Sequence, residues 1–248
     1  MNPVQVIFLG TGDAFGAGGR HQAGYLVSWN GGSILLDSGA TTVASLRREQ
    51  IAAGCIDTVL LSHLHGDHFA GLPFLFLEYT YHEPRRRPLT IAGPVGTEAR
   101  VAELYRAMYR QPGSRQLPFE LCFIELLPEM QAHAAGAVID PFRVPHQQDE
   151  VSLGFVVTVG GRRILYSGDS GWTEELVARS QGTDLFICEC SYFGTRQDFH
   201  LEYPRIAENR HRFGTKRLIL SHLGDEVLAR RDQIDVELAS DGLRLDIE

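Results

Sequence analysis

A chain of 248 residues with 44% hydrophobic content can close one sizeable core, and no composition shift or low-complexity stretch marks a boundary, so residues 1–248 read as a single domain. The formal charge of −8, from 23 basic and 31 acidic residues, argues against a broad electrostatic footprint for nucleic acid. The four cysteines (Cys55, Cys122, Cys188 and Cys190) show no disulfide framework, which suits reduced thiols in a cytoplasmic protein. After Met1-Asn2-Pro3 the apolar run is too short for an export signal or a membrane span.

Val4 to Leu9 reads as a buried strand, followed by the glycine-rich Gly10 to Gly19. No helical periodicity and no Walker lysine follow, so this loop is the rim of a site rather than a dinucleotide cradle. His21, at its end, reads as a surface histidine. Gly24 to Trp29 is a second strand, and Ser33 to Gly39 a third that ends at Asp37; Thr41 to Gln50 then reads as a helix. Thr58 to Ser62 is a strand, and Gly71 to Tyr81 a helix with a buried Leu/Phe stripe. Arg85-Arg86-Arg87 reads as a solvated turn before Pro88. Leu89 to Pro94 is a short strand, Thr97 to Arg110 an amphipathic helix, and 119–145 short strands with a loop, in which His133 has no companions. Val156 to Tyr166 is a hairpin turning at Gly160-Gly161. Trp172 to Ser180 is helical, and Asp184 to Cys190 is a buried strand whose two cysteines share a face as packing. Arg205 to Phe213 is a helix, Lys216 to His222 a last buried strand, and Glu226 to Glu248 a helix and an edge strand.

The chemistry concentrates in Ser62-His63-Leu64-His65-Gly66-Asp67-His68, on the turn after a strand. Three imidazoles and a carboxylate in so short a stretch would each need a hydrogen-bond partner if buried, whereas a metal accepts them all. The spacing lets His63 and His65 face one position while Asp67 and His68 turn to a second. Asp37, His146, Asp169 and His222 also follow strand ends, as a layered α/β domain with a site along one sheet edge requires.

Leu64-His65-Gly66-Asp67-His68 resembles the motif of the metallo-β-lactamase superfamily, and most of all its ribonuclease Z branch. Leu9-Gly10-Thr11-Gly12 is similar to the opening of those proteins, and His146 followed by Ser152-Leu153-Gly154-Phe155 to another of their motifs. The resemblance covers nearly the whole chain in the family's order. It implies an αββα sandwich of two mixed sheets flanked by helices. It also implies that His63, His65 and His146 hold one metal, that Asp67, His68 and His222 hold another, and that Asp169 bridges both. Asp37 would hydrogen-bond the metal-binding loop. Zinc suits this donor set, and manganese or iron is compatible with it. Such a pair holds a hydroxide between its ions, which Asp67 could orient.

His200, 22 positions before His222, stands where the family places a glutamate-supported histidine, so His200, oriented by Glu189, is expected to donate a hydrogen bond or proton to the substrate's phosphate or leaving oxygen. The flanking His200-Leu201-Glu202-Tyr203 departs from the family's His-Ser-Thr. Relatives that grip transfer RNA insert a long arm between the third and fourth metal motifs. Here His146 and Asp169 are only 23 positions apart. The expected activity is therefore hydrolysis of small phosphodiesters, cyclic ones included. A carboxylic ester, lactone or sulfate ester hydrolase and a tRNA 3′-processing endonuclease are the alternatives. A metal-stabilised scaffold is a fourth reading. The resemblance alone supplies the expectation of a homodimer.

Overall fold

The computed structural model describes residues 4–109 and 117–248; the end of the helix expected at Arg110 and the opening Met1-Asn2-Pro3 lie outside the described residues. Fourteen strands form in the described residues: β1 (Val4–Gly10), β2 (Gly24–Trp29), β3 (Gly32–Leu36), β4 (Thr58–Leu60), β5 (Leu89–Pro94), β6 (Leu121–Leu126), β7 (Ala132–Ala134), β8 (Ala137–Val144), β9 (Ser152–Val159), β10 (Arg162–Tyr166), β11 (Leu185–Glu189), β12 (Leu218–Ser221), β13 (Glu237–Leu238) and β14 (Arg244–Ile247). They build two seven-stranded sheets, ordered β14-β1-β2-β3-β4-β5-β6 and β13-β12-β11-β10-β9-β8-β7. Each sheet is mixed: β14 through β3 and β7 through β10 pair antiparallel, while β3 through β6 and β10 through β13 pair parallel.

Alternation along the strands sorts side chains into three cores. Phe8, Ile34, Leu36, Phe155, Ile164 and Ile187 point between the sheets. Their neighbours Ile7, Leu35, Val59 and Ile91 face outward against α1 (Thr42–Arg48), α2 (Gly66–Phe69), α3 (Leu72–Leu77) and α4 (Thr97–Met108). On the second sheet Leu165, Phe186, Cys188 and Leu220 pack under α5 (Glu174–Ser180), α6 (Tyr203–Asn209) and α7 (Asp225–Ala229). Burial on both faces explains why these strands read as continuous apolar runs. The result is the αββα layering that the resemblance implied, and Cys188 and Cys190 are core as expected.

Several boundaries differ for physical reasons. The helix expected over 71–81 gives way to a π turn at Glu78–His82. The helix expected from Trp172 starts at Glu174, because the Thr173 side chain accepts the Glu175 N–H and caps it there. The tail supplies two edge strands rather than one, β13 to the second sheet and β14 to the first. Gly160 and Gly161, at φ 56° and 77°, make the two-residue hairpin turn that joins β9 to β10.

The reading of Arg85 as a solvated turn residue is corrected. Arg85 is buried, its guanidinium donates to the carbonyls of Ile56, Arg87 and Pro88, and it lies 4.9 Å from the Tyr79 ring centre. A guanidinium can be buried when its fork of donors meets carbonyls, which nearest-neighbour sequence does not reveal. His21 is half-buried, bonded through Nδ1 to Ser45 Oγ, away from the strand-end histidines.

A candidate two-metal centre

The parallel strands of both sheets end at one edge, and the chemistry-bearing residues gather there. Asp37 follows β3, His63 follows β4, His146 follows β8, Asp169 follows β10 and His222 follows β12. Asp37 and His222 have φ of 56° and 54°, so the chain turns sharply at these two strand ends.

Seven side chains converge in two sets. His146 Nε2 lies 3.0 Å from His65 Nδ1, and both His146 Nε2 and His63 Nε2 lie 3.9 Å from Asp169 Oδ2. On the other side, Asp169 Oδ1 is 3.2 Å from His68 Nε2 and 3.4 Å from His222 Nε2. Asp67 Oδ2 is 3.3 Å from both of those nitrogens. The two oxygens of Asp169 thus face different groups.

Donor chemistry and spacing both fit a pair of cations. His63 Nε2, His68 Nε2 and Asp169 Oδ1 are buried and aligned with no hydrogen-bond partner, although His68 Nε2 and Asp169 Oδ1 are close in distance. Native interiors rarely leave such atoms unpaired. Zinc–nitrogen bonds of about 2.0–2.1 Å give a tetrahedron with edges of about 3.3–3.4 Å, the spacing seen around Asp67, His68, Asp169 and His222.

Each imidazole is also fixed from behind. His63 Nδ1 is bonded to Ser62 Oγ at 3.0 Å, His68 Nδ1 to Asp37 Oδ2 at 2.7 Å, His146 Nδ1 to the Phe199 carbonyl at 2.9 Å and His222 Nδ1 to Ser191 Oγ at 2.9 Å. His65 is reversed: its Nδ1 points inward, and its Nε2 meets the Gln147 amide at 2.8 Å. Such outer partners set the tautomer of a ligating histidine. Asp37, wholly buried, also accepts from Ser62 N, Ser62 Oγ and Tyr166 Oη at 2.7, 2.7 and 2.5 Å, so it ties the metal loop to the second sheet.

The protonation of the cluster is pulled in opposite directions. Burial, and then the neighbouring His68, pushes His63 well below its ordinary value. Burial also depresses His68, but Asp169, Asp37 and Asp67 more than offset it and raise His68 well above. Burial alone would raise Asp169, yet His222 and His68 hold it well below the carboxylate range. Cations replacing these shared protons satisfy both sets at once.

Next to this group, His200 Nδ1 is bonded to Glu189 Oε1. Burial lowers the His200 pKa, but the Glu189 bond and charge outweigh it and push it up to about 9. Glu189 is held by Ser170 N, Leu201 N and Ser191 Oγ. A cavity of about 90 Å³ opens on Asp67, Asp169, His200 and His222, with Phe15 and Tyr192 in its lining. The glycine-rich loop therefore is the rim that its sequence suggested. The family resemblance already groups the seven converging side chains and pairs Glu189 with His200, and the structure places them together. Sequence reasoning missed Gln147, Tyr166, Ser191 and Tyr192; Gln147, directly after His146, and Ser191 and Tyr192, shortly after the strand carrying Glu189, had a positional signal.

Two mixed sheets between helices, with this group at their shared edge, define a metallo-β-lactamase fold hydrolase of the ribonuclease Z-like kind, a metal-dependent enzyme. The metallo-β-lactamase fold protein YhfI from Bacillus subtilis matches at TM-score 0.80 and 21% identity, covering 99% of this chain and 100% of that one. Human tRNase Z, short form (ELAC1), also matches at TM-score 0.80, with 26% identity and coverage of 98% and 99%. Ribonuclease Z of Lachnoclostridium phytofermentans is 28% identical over 271 residues, 88% of this chain and 87% of the relative. Within that class the chain belongs to the family described as Anti-Pycsar protein Apyc1, whose model matches residues 4–239.

Proposed function

We propose that this protein is a two-metal phosphodiesterase acting on small phosphodiesters, cyclic ones included. His63, His65 and His146 would hold one divalent ion, Asp67, His68 and His222 the second, and Asp169 would stand between them; nitrogen and carboxylate donors at tetrahedral spacing favour zinc. When bound, the ions supply positive charge for the phosphate and lower the pKa of a water to about 7.

The rest falls to the chain itself. Burial raises the Asp67 carboxyl, but His68 and His222 hold it below its ordinary range, so it stays ionised. It accepts a hydrogen bond from the attacking water and orients it. His200, protonated at neutral pH and held at Nδ1 by Glu189, has Nε2 left to donate to the departing oxygen. That positioned cation on the cavity is the observation that carries the reading. Protonation of a departing alkoxide would serve a diester, an ester or a lactone alike, but the positive charge of His200 draws in an anionic diester more strongly than a neutral ester or lactone.

The cavity is well below the ~300–1,000 Å³ that encloses a whole small ligand, so it takes the reacting group and leaves the remainder at the rim. Between His146 and Asp169 the chain forms the β9–β10 strands and their short connections, which supports a small substrate over transfer RNA. Among the described residues no helix is long and apolar enough to cross a membrane, and the four cysteines are free, which supports a reducing, cytoplasmic setting.

RNA 3′ processing is the second reading, favoured by the likeness to ribonuclease Z. The test is turnover by zinc-loaded protein of bis-p-nitrophenyl phosphate, 2′,3′- and 3′,5′-cyclic nucleotides, a lactone, a sulfate ester and a precursor tRNA. Hydrolysis of the cyclic nucleotides, whose leaving group is an alkoxide, is expected to fall at least ~10²-fold in both Asp67→Ala and His200→Ala. Cleavage of the precursor tRNA with inert small diesters would move the reading to RNA processing.

A further inference from the structure

We propose that Gln147 is a positioning residue for the first metal position, and that it acts by fixing the tautomer of His65 with its amide oxygen. The inference rests on the assignment of His63, His65 and His146 to one ion. The contacts form a chain. Ser152 Oγ lies 3.2 Å from Gln147 Oε1, Gln147 Nε2 lies 2.8 Å from His65 Nε2, and His65 Nδ1 lies 3.0 Å from His146 Nε2. His146 Nδ1 then donates to the Phe199 carbonyl at 2.9 Å.

Two directions of donation satisfy this chain. In the first, the serine donates to the amide oxygen, the amide nitrogen donates to His65 Nε2, and His65 Nδ1–H donates to His146 Nε2. That direction consumes both inward-facing ring nitrogens, and neither has a lone pair to offer. In the second, the amide is rotated by half a turn, which exchanges its oxygen and nitrogen without displacing any neighbour. Oε1 now accepts from His65 Nε2–H, Nε2 donates to Ser152 Oγ, and His65 Nδ1 and His146 Nε2 both present lone pairs. Two lone pairs 3.0 Å apart repel unless a cation lies between them, and His63 Nε2 completes the same position.

The Phe199 carbonyl fixes His146 in either direction, because a carbonyl can only accept. His63 Nδ1 faces the Ser62 hydroxyl, whose one proton goes to Asp37, so Ser62 Oγ accepts from His63 Nδ1 and this ring is fixed as well. Gln147 is the outer partner of His65, so the choice between the two directions passes through its amide. Gln147 immediately follows His146 in the chain, so the loop that carries one candidate ligand also orients another.

The experiment compares wild type with Gln147→Leu and Gln147→Glu. Zinc affinity is measured by competition with a chromophoric chelator, the step lost in His65→Ala being assigned to this position. Nitrogen-15 spectra report which His65 nitrogen carries the proton in the zinc-loaded protein. Gln147 is partly exposed, and the thermal midpoint of each zinc-free variant checks that it folds. Wild type should show a protonated His65 Nε2. Gln147→Leu should weaken the assigned step by about 10–100-fold, while Gln147→Glu, which can only accept at neutral pH, should stay within about threefold.

Equal affinity in Gln147→Leu, or a loss in Gln147→Glu as large as in Gln147→Leu, would overturn the inference while leaving the two-metal reading intact. Wild-type protein that binds no zinc at this position would instead remove that reading, and the role of Gln147 with it.

Discussion

Replacing Glu189 by Gln tests the acid assigned to His200 most sharply. The substitution keeps one oxygen for the Leu201 and Ser170 amides but puts an amide nitrogen where Oε1 faces His200 Nδ1. Burial alone lowers the His200 pKa, so without the carboxylate it should fall from about 9 to its ordinary 6.5 or below. That difference is worth about 3 kcal/mol between the two protonation states. At pH 8 wild-type His200 is about 90% protonated and the variant about 3%, so kcat on a phosphodiester should drop about 30-fold; near pH 6 the two should nearly converge.

The sign follows from the role: an acid is active below its pKa, and activity is lost as pH rises through it. Cations bound nearby lower both values together, so the quantity to measure is the separation of the two alkaline limbs in kcat against pH. A variant whose alkaline limb coincides with that of wild type would refute the reasoning. The same pair also bears on folding. Because the folded-state pKa of His200 is raised, its stabilisation is fully present below about 6.5 and is lost as pH rises through about 9.

Asp37→Ala leaves the Ser62 N–H and hydroxyl, the His68 ring N–H and the Tyr166 hydroxyl without their buried acceptor. At about 1–3 kcal/mol for each unsatisfied group, partly relieved by relaxation, a loss of at least ~3 kcal/mol is expected in denaturant unfolding of the zinc-free protein; a loss under ~1 kcal/mol would contradict the network. Gly154→Ala places a Cβ 2.3 Å from the Phe142 ring, with both residues deep in the second sheet. The thermal midpoint should fall by the equivalent of about 1–3 kcal/mol, and an unchanged midpoint would show that the ring can move aside.

The sequence makes legible what is local. Near-continuous apolar runs mark β1, β2, β3 and β9, and a polar residue at the end of such a run marks a strand-end site residue, as with Asp37, His63 and His222. Crowding of titratable groups between His63 and His68 exposes the metal loop because no buried environment would tolerate them unpaired. Asp169 is harder to read: its local surroundings suit a helix start, but α5 begins at Glu174, and the aspartate instead joins four histidines from the segments that follow three other strands, β4, β8 and β12. What stayed hidden depends on distant partners. Tyr166 acquires its role from Asp37, 129 positions away, and the Gln147 amide from His65, 82 positions away. Arg85 looked solvated because the carbonyl it reaches at Ile56 lies 29 positions back.

The central claim is that two cations and the Glu189–His200 pair make a phosphodiesterase. Its most direct test is to titrate metal-free protein with zinc while following hydrolysis of bis-p-nitrophenyl phosphate. Activity that is absent at the start and reaches its plateau at two equivalents per chain is the predicted result. A plateau at one equivalent, or no hydrolysis at any loading, would contradict the account.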